Sequence, residues 1–156
     1  MPSSPTQYVT VFTDASHCPH TLATGWAVWI KHGTPATTIR FRGTASGLHN
    51  STEAELHALE RAIKHLLETD LALDRVVVIQ SDSQGALAQL GSHHNKLGTE
   101  LRRTATYVKL KHVKGHQGLK CPRSAVNTWC DREARKQMNT LRTTLRTILQ
   151  QKEPNA

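Results

Sequence analysis

The sequence predicts a single α/β domain built on a central five-stranded mixed sheet, three antiparallel strands plus two parallel ones, flanked by helices. Three observations predict it. Val76-Val77-Val78-Ile79 is a β-branched run that stops just before Asp82, and it reads as a central strand buried on both faces. Three strand patterns joined by short connections open the chain, as in an antiparallel meander. From residue 51 onward helical patterns alternate with strand patterns, and connections of that length join parallel neighbours.

The elements follow in order. Tyr8 to Thr13 alternates, is rich in β-formers and ends in Asp14, so an acid stands at the carboxyl end of the first strand. His17 to Thr24 reads as loop, Gly25 to Ile30 as the second strand, Gly33-Thr34-Pro35 as a turn and Thr37 to Ala45 as the third strand. From Ser51 to about Thr69, Leu56, Leu59, Ile63, Leu66 and Leu67 recur at helical spacing. Thr52-Glu53-Ala54-Glu55 fits a capping box, which would make Glu55 a cap of its own helix. Glu55 also borders the apolar face and could point at the sheet, and Glu53 rivals it for either role. After the Val76 strand, Ser83 to about Leu90 reads as a short helix. Asp82 is therefore either a helix cap or a carboxylate at the strand-end crevice where ligands of open α/β sheets gather. Ser92 to Lys96 reads as loop, and Thr99 to about Thr106 as a helix. Tyr107 to Lys114 reads as a fifth strand with a basic face, and Gly115-His116-Gln117-Gly118 as a glycine-flanked loop. A helical pattern runs from about Ala125 to Gln151, with Asn127 and Asp131 early in it and Leu141, Leu145, Ile148 and Leu149 as its seam.

Composition narrows the class. The 156 residues suffice for one domain, 1–156, with its core at about 8–138. Residues 1–7 are a polar tail without the features of a signal peptide, and 139–156 form an additional C-terminal helix and tail. No apolar run approaches membrane-spanning length, so no membrane partner is expected. The three cysteines, Cys18, Cys121 and Cys130, have no disulfide or zinc spacing, which fits the cytoplasm or another reducing intracellular compartment. The net charge of +8 is uneven: residues 1–95 carry −2 and residues 96–156 carry +10. A basic half calls for a polyanion, nucleic acid first among candidates. With only 4% aromatic residues, binding through the phosphate backbone is expected over base stacking.

Four acids thus have defined positions: Asp14, Glu55, Asp82 and Asp131. Carboxylates crowded together need a cation to cancel their repulsion, and Mg²⁺ takes such hard oxygen ligands while keeping waters for a substrate phosphate. Two such ions can activate a water and stabilise the leaving oxygen of a phosphodiester, and a nearby histidine such as His116 can carry a proton.

At this point the sequence resembles a known family. Val11-Phe12-Thr13-Asp14-Ala15-Ser16, Thr52-Glu53-Ala54-Glu55-Leu56, Ser81-Asp82-Ser83-Gln84, Val113-Lys114-Gly115-His116 and Asn127-x-x-Cys130-Asp131 are similar to the ordered motifs of type 1 ribonuclease H (ribonuclease HI), a domain also found in reverse transcriptases. The resemblance implies the RNase H-like fold. It implies an endonuclease that cuts the RNA strand of RNA/DNA hybrids and leaves 5′-phosphate and 3′-hydroxyl ends. Asp14, Glu55, Asp82 and Asp131 would hold two Mg²⁺, with Mn²⁺ able to substitute, and His116 would assist proton transfer or product departure. Glu55 is the matching glutamate because the family's acid directly precedes a leucine. Gln84, Ser51 and Thr52 would contact the hybrid, and Ser16 and Asn127 belong to the same expected substrate set. A monomer is expected, and a reverse-transcriptase polymerase domain is a candidate partner.

The sequence also departs from the pattern. Asp14-Ala15-Ser16 replaces Asp-Gly-Ser, Ser51-Thr52 replaces Asn-Asn, and His17 to Thr24 replaces an Asn-Pro-Gly-rich loop. The 34 residues from Asp82 to His116 leave little room for the basic protrusion of many cellular members, and Leu119 to Ser124 looks inserted. Exonucleases of related fold place Asp-x-Glu on the first strand, where Asp14-Ala15-Ser16 stands here. Integrases and transposases lack a helix glutamate between the first two aspartates. A non-catalytic or partner-dependent hybrid-binding module is the alternative of a different class.

Overall fold

The computed structural model describes residues 7–114 and 122–152. In chain order the elements are β1 (Tyr8–His17), β2 (Ala23–His32), β3 (Thr37–Ser46), α1 (Ser51–Glu68), β4 (Val76–Ser81), α2 (Gln84–Gly91), α3 (Lys96–Thr104), β5 (Tyr107–His112) and α4 (Pro122–Lys152). The sheet order is β3-β2-β1-β4-β5. β1, β2 and β3 pair antiparallel, while β4 runs parallel to both β1 and β5. This is the expected mixed sheet.

Alternation along the strands sorts side chains onto two faces. Val9, Val11, Val28, Ile30, Val77 and Ile79 face α1, α2 and α3, and Leu59, Ile63 and Leu66 of α1 are fully buried against them. Each such leucine or isoleucine contributes about 2 kcal/mol over an exposed one. The other face is covered by α4, which packs over β2, β1 and β3. Gly25 fixes that approach: a Cβ on it would collide with Ala134 O and Met138 N of α4. Further along, Leu141 and Leu145 of α4 pack around Cys18, Ala23 and Met138, while Ile148 and Leu149 stay exposed.

Three expectations are corrected. The Val76 run is not buried on both faces: Val77 and Ile79 are fully buried, but Val76 and Val78 are only half-buried because α4 lies over the other strands of the sheet's second face. β1 does not end at Asp14; it continues to His17 in register with β2, because β2 extends that far. α3 starts at Lys96 rather than Thr99, with Asn95 accepting a hydrogen bond from the Gly98 N–H at 2.8 Å as its cap. His116 and the inserted stretch through Cys121 lie outside the described residues.

Candidate metal and nucleic-acid site

The site forms where the sheet opens. The parallel pairing of β1 and β4 ends at Phe12 and Gln80, so beyond it β1 runs on with its β4-side edge free. Asp14 lies two residues past that point, and Asp82 one residue past the end of β4. Asp14 follows Phe12 on the side covered by α4.

Glu55 reaches the same spot from α1, and the local sequence explains how. The capping box expected at Thr52 lies two residues further back. Asn50 is the cap and accepts from the Glu53 N–H at 2.9 Å, while Glu53 Oε2 accepts from the His49 N–H at 2.7 Å. Asn is a strong cap, and Glu53 stands at the third helical position, where a carboxylate can reach back to the entering chain. Glu53 is thus spent on the helix start, and Glu55, half a turn on, turns inward and is buried. One of its oxygens, Oε1, accepts from the Ala15 N–H at 3.2 Å, and the same N–H is shared with Asp14 Oδ1 at 2.9 Å. The other oxygen, Oε2, is buried with no hydrogen-bond partner among the described residues.

Asp14, Glu55 and Asp82 each offer a carboxylate oxygen, and these atoms all lie within 4.8 Å of one another. Their electrostatics are adverse without a counter-charge. Burial, then the charge of Asp82, raises the pKa of Asp14 from 3.8 to about 7. Burial, then Asp14 and Asp82, holds the Glu55 carboxyl far above the usual range. Asp131 on α4 adds to the rise at Asp14 but stands outside the close trio, its Oδ1 3.3 Å from Arg135 Nε. Burial, then Asp14, Glu55 and Asp131, also pushes up the Cys130 thiol, and Cys130 is not among the three groups that converge. The three converging donors are carboxylate oxygens, a hard set that fits a divalent cation of the Mg²⁺ type. A metal would supply a partner for Glu55 Oε2 and cancel the repulsion that raises both carboxyls.

The other expected residues that the structure describes lie on the same elements or on α2. Ser51 and Thr52 open α1, and Gln84 opens α2. The two helix starts touch: a Cβ on Gly85 would sit 3.3 Å from Thr52 Cγ2. The α2 cap is Ser83, which accepts from the Ala86 N–H at 3.1 Å, so Asp82 is not the cap. Ser16 lies on β1 opposite Gly25, and Asn127 lies on α4 about one turn before Asp131.

One residue escaped the sequence reading. His112, at the end of β5, donates from Nε2 to the Asp82 carbonyl at 3.1 Å. The carbonyl can only accept, so Nε2 carries the proton, and Nδ1 then accepts from the Gln84 amide at 3.5 Å. His112 thereby ties the turn carrying Asp82 to the next strand. Its only signal was its place at a strand end beside a basic run, and that is too weak to single out a residue.

No protein-family model matches the chain, and no curated protein matches it as a relative. Solved structures do. The N-terminal RNase H domain of a Mycobacterium tuberculosis protein superposes with a TM-score of 0.66 at 16% identity, over 88% of this chain and 97% of that one. RNase H1 of the halophilic archaeon Halobacterium salinarum gives 0.61 at 18% identity, over 85% of this chain and 98% of that one. LC11-RNase H1, solved in complex with an RNA/DNA hybrid, gives 0.63 at 14% identity, over 85% and 98%. At these identities the likeness is one of fold: the chain has the ribonuclease H fold.

Proposed function

We propose that the chain is an endoribonuclease that hydrolyses the RNA strand of RNA/DNA hybrids and leaves 5′-phosphate and 3′-hydroxyl ends. The observation that carries this reading is the convergence of Asp14, Glu55 and Asp82 within 4.8 Å at the strand-end opening of a ribonuclease H fold. LC11-RNase H1, of the same fold, was solved with an RNA/DNA hybrid.

In this reading Asp14, Glu55 and Asp82, with Asp131 from α4, hold two Mg²⁺, and Mn²⁺ can substitute. When bound, the ions supply the charge that activates a water and stabilises the leaving oxygen. The protein's part is positioning. The shared Ala15 N–H holds Asp14 and Glu55 in register, so both carboxylates meet the ions preorganised. His112 holds the Asp82 turn. The adjoining starts of α1 and α2 bring two positive dipole ends together, where a phosphodiester backbone is favoured. Ser51, Thr52 and Gln84 stand there to contact the hybrid, with Ser16 and Asn127 at its margins. His116 is assigned to proton transfer or product departure. Discrimination of RNA from DNA rests on the 2′-hydroxyl, read near Glu55. The domain acts as a monomer or appended to a reverse-transcriptase polymerase.

The test is cleavage of end-labelled RNA annealed to DNA or to RNA, with Mg²⁺ and with excess chelator. Hybrid-only cutting, lost with chelator and in Asp82→Asn, is the expected result. Salt-sensitive hybrid binding without cleavage would replace this reading with a hybrid-binding module. Neither cleavage nor binding would end the nucleic-acid reading.

A further inference from the structure

The part of the sheet that no described element covers forms a groove of about 700 Å³ beside α4, and three cross-strand rows floor it. In the first, Tyr8 and Tyr107 flank Val76, and both rings are exposed, at 59% and 60%. In the next, two residues along, Lys31 and Lys109 stand at the outer positions. In the third stands Lys111, and Phe12 and Gln80 close the groove two residues short of Asp14 and Asp82. Successive rows are about 6.6 Å apart. Among the described residues the lining holds three lysines and no acid.

We infer that this face binds a single-stranded polynucleotide, the unpaired extension of a strand whose paired part lies at the carboxylates. Its identity as part of the substrate rests on the nuclease reading. The chemistry of the groove selects the occupant. Two exposed rings at one end provide faces on which bases stack, a sequence-tolerant contact. Lysines two residues apart on one strand follow a phosphate backbone. An acidic protein segment would use the lysines but leave the tyrosines without a role. Continuity with Phe12 and Gln80 leads the strand toward Asp14 and Asp82. The basic face of β5, evident in the sequence as alternating lysines, thereby acquires a ligand that the hybrid contacts at α1 and α2 do not supply.

The experiment measures binding of fluorescein-labelled dT15 to the full chain in excess chelator, by anisotropy across a KCl series. Stacking at two rings predicts that the double variant Tyr8→Ala/Tyr107→Ala binds about 30-fold more weakly. Removing two phosphate contacts in Lys109→Gln/Lys111→Gln lowers the slope of log K against log salt by about 1.4. Both variants keep the wild-type melting curve, since Tyr8, Tyr107 and Lys109 are exposed, Lys111 is half-buried and none of them belongs to the buried core, and cut a blunt hybrid at the wild-type rate within twofold. The inference is overturned if dT15 binds wild type and the tyrosine variant alike, or if the salt slope is unchanged by the lysine substitutions. It is also overturned if poly-glutamate of equal charge displaces dT15 irrespective of the tyrosines, which would assign the face to an acidic protein. Because binding is read in chelator, failure to cleave any hybrid would remove the nuclease reading while leaving this measurement intact.

Discussion

Asp14→Asn is expected to stabilise the metal-free protein while abolishing the proposed hydrolysis of hybrids. The asparagine keeps the shape and an oxygen to accept from the Ala15 N–H, which Asp14 takes at 2.9 Å. What it removes is a charge. Folding raises the pKa of the Asp14 carboxyl from 3.8 to about 7 through burial and the nearby Asp82. The folded state therefore holds this proton more tightly than the unfolded state. The associated stability is fully present below about pH 4 and is lost as pH rises through about 7. A tenfold difference in proton affinity between the two states is worth about 1.36 kcal/mol, so the loss across that window is on the order of 4 kcal/mol, with part of it shared with Glu55. In a domain of this size that corresponds to roughly 10 °C in melting temperature. Urea unfolding followed by circular dichroism, in chelator at pH 4 and pH 8, measures it. The variant and wild type should agree at pH 4, and the variant should be more stable by about 2–4 kcal/mol at pH 8. Adding Mg²⁺ at pH 8 should stabilise wild type and leave the variant nearly unchanged. Equal stabilities at pH 8 would refute the account of a carboxylate strained by burial and repulsion.

Three further outcomes follow from the same geometry. Glu55→Gln should cut hybrid cleavage more than about 100-fold and abolish the Mg²⁺-induced rise in melting temperature; a variant with full metal response would remove Glu55 from the ligand set. Gly25→Val should cost about 3 kcal/mol in urea unfolding, because its side chain would have to displace the α4 backbone at Ala134 and Met138; a neutral change would mean α4 is not seated on β2 as described. Arg42→Ala should cost about 1–2 kcal/mol, since Arg42 Nη1 lies 2.9 Å from Glu133 Oε2 and its loss leaves this buried carboxylate only the longer 3.7 Å contact of Oε1 with Arg132 Nε. Replacing Glu133 by Gln in that background should recover most of the loss, and failure to recover it would assign the cost to packing.

Much of the architecture was legible in the chain because it depends on local periodicity. Alternation in Tyr8 to Thr13 and Tyr107 to Lys111, the i, i+3, i+4 leucines of α1 and the turn chemistry between strands specify five strands and the helices between them, and the connection lengths specify which strands run parallel. The acids at Asp14 and Asp82 were legible for the same reason: each stands just beyond an apolar run. What periodicity could not decide was where α4 lies across the sheet, and that determined everything on its second face. The valines of β4 alternate in burial only because α4 sits on β1, β2 and β3, held there by the absence of a side chain at Gly25. The choice between Glu53 and Glu55 was likewise tertiary. Both fit a helix start by spacing, and it is the entry of the chain through His49 and Asn50 that occupies Glu53 and leaves Glu55 facing the Ala15 N–H. Sequence patterns report which side chains share a face; which of them meet, and which are left open to a ligand, depends on how one element is offset against another, and that is set by contacts far apart along the chain.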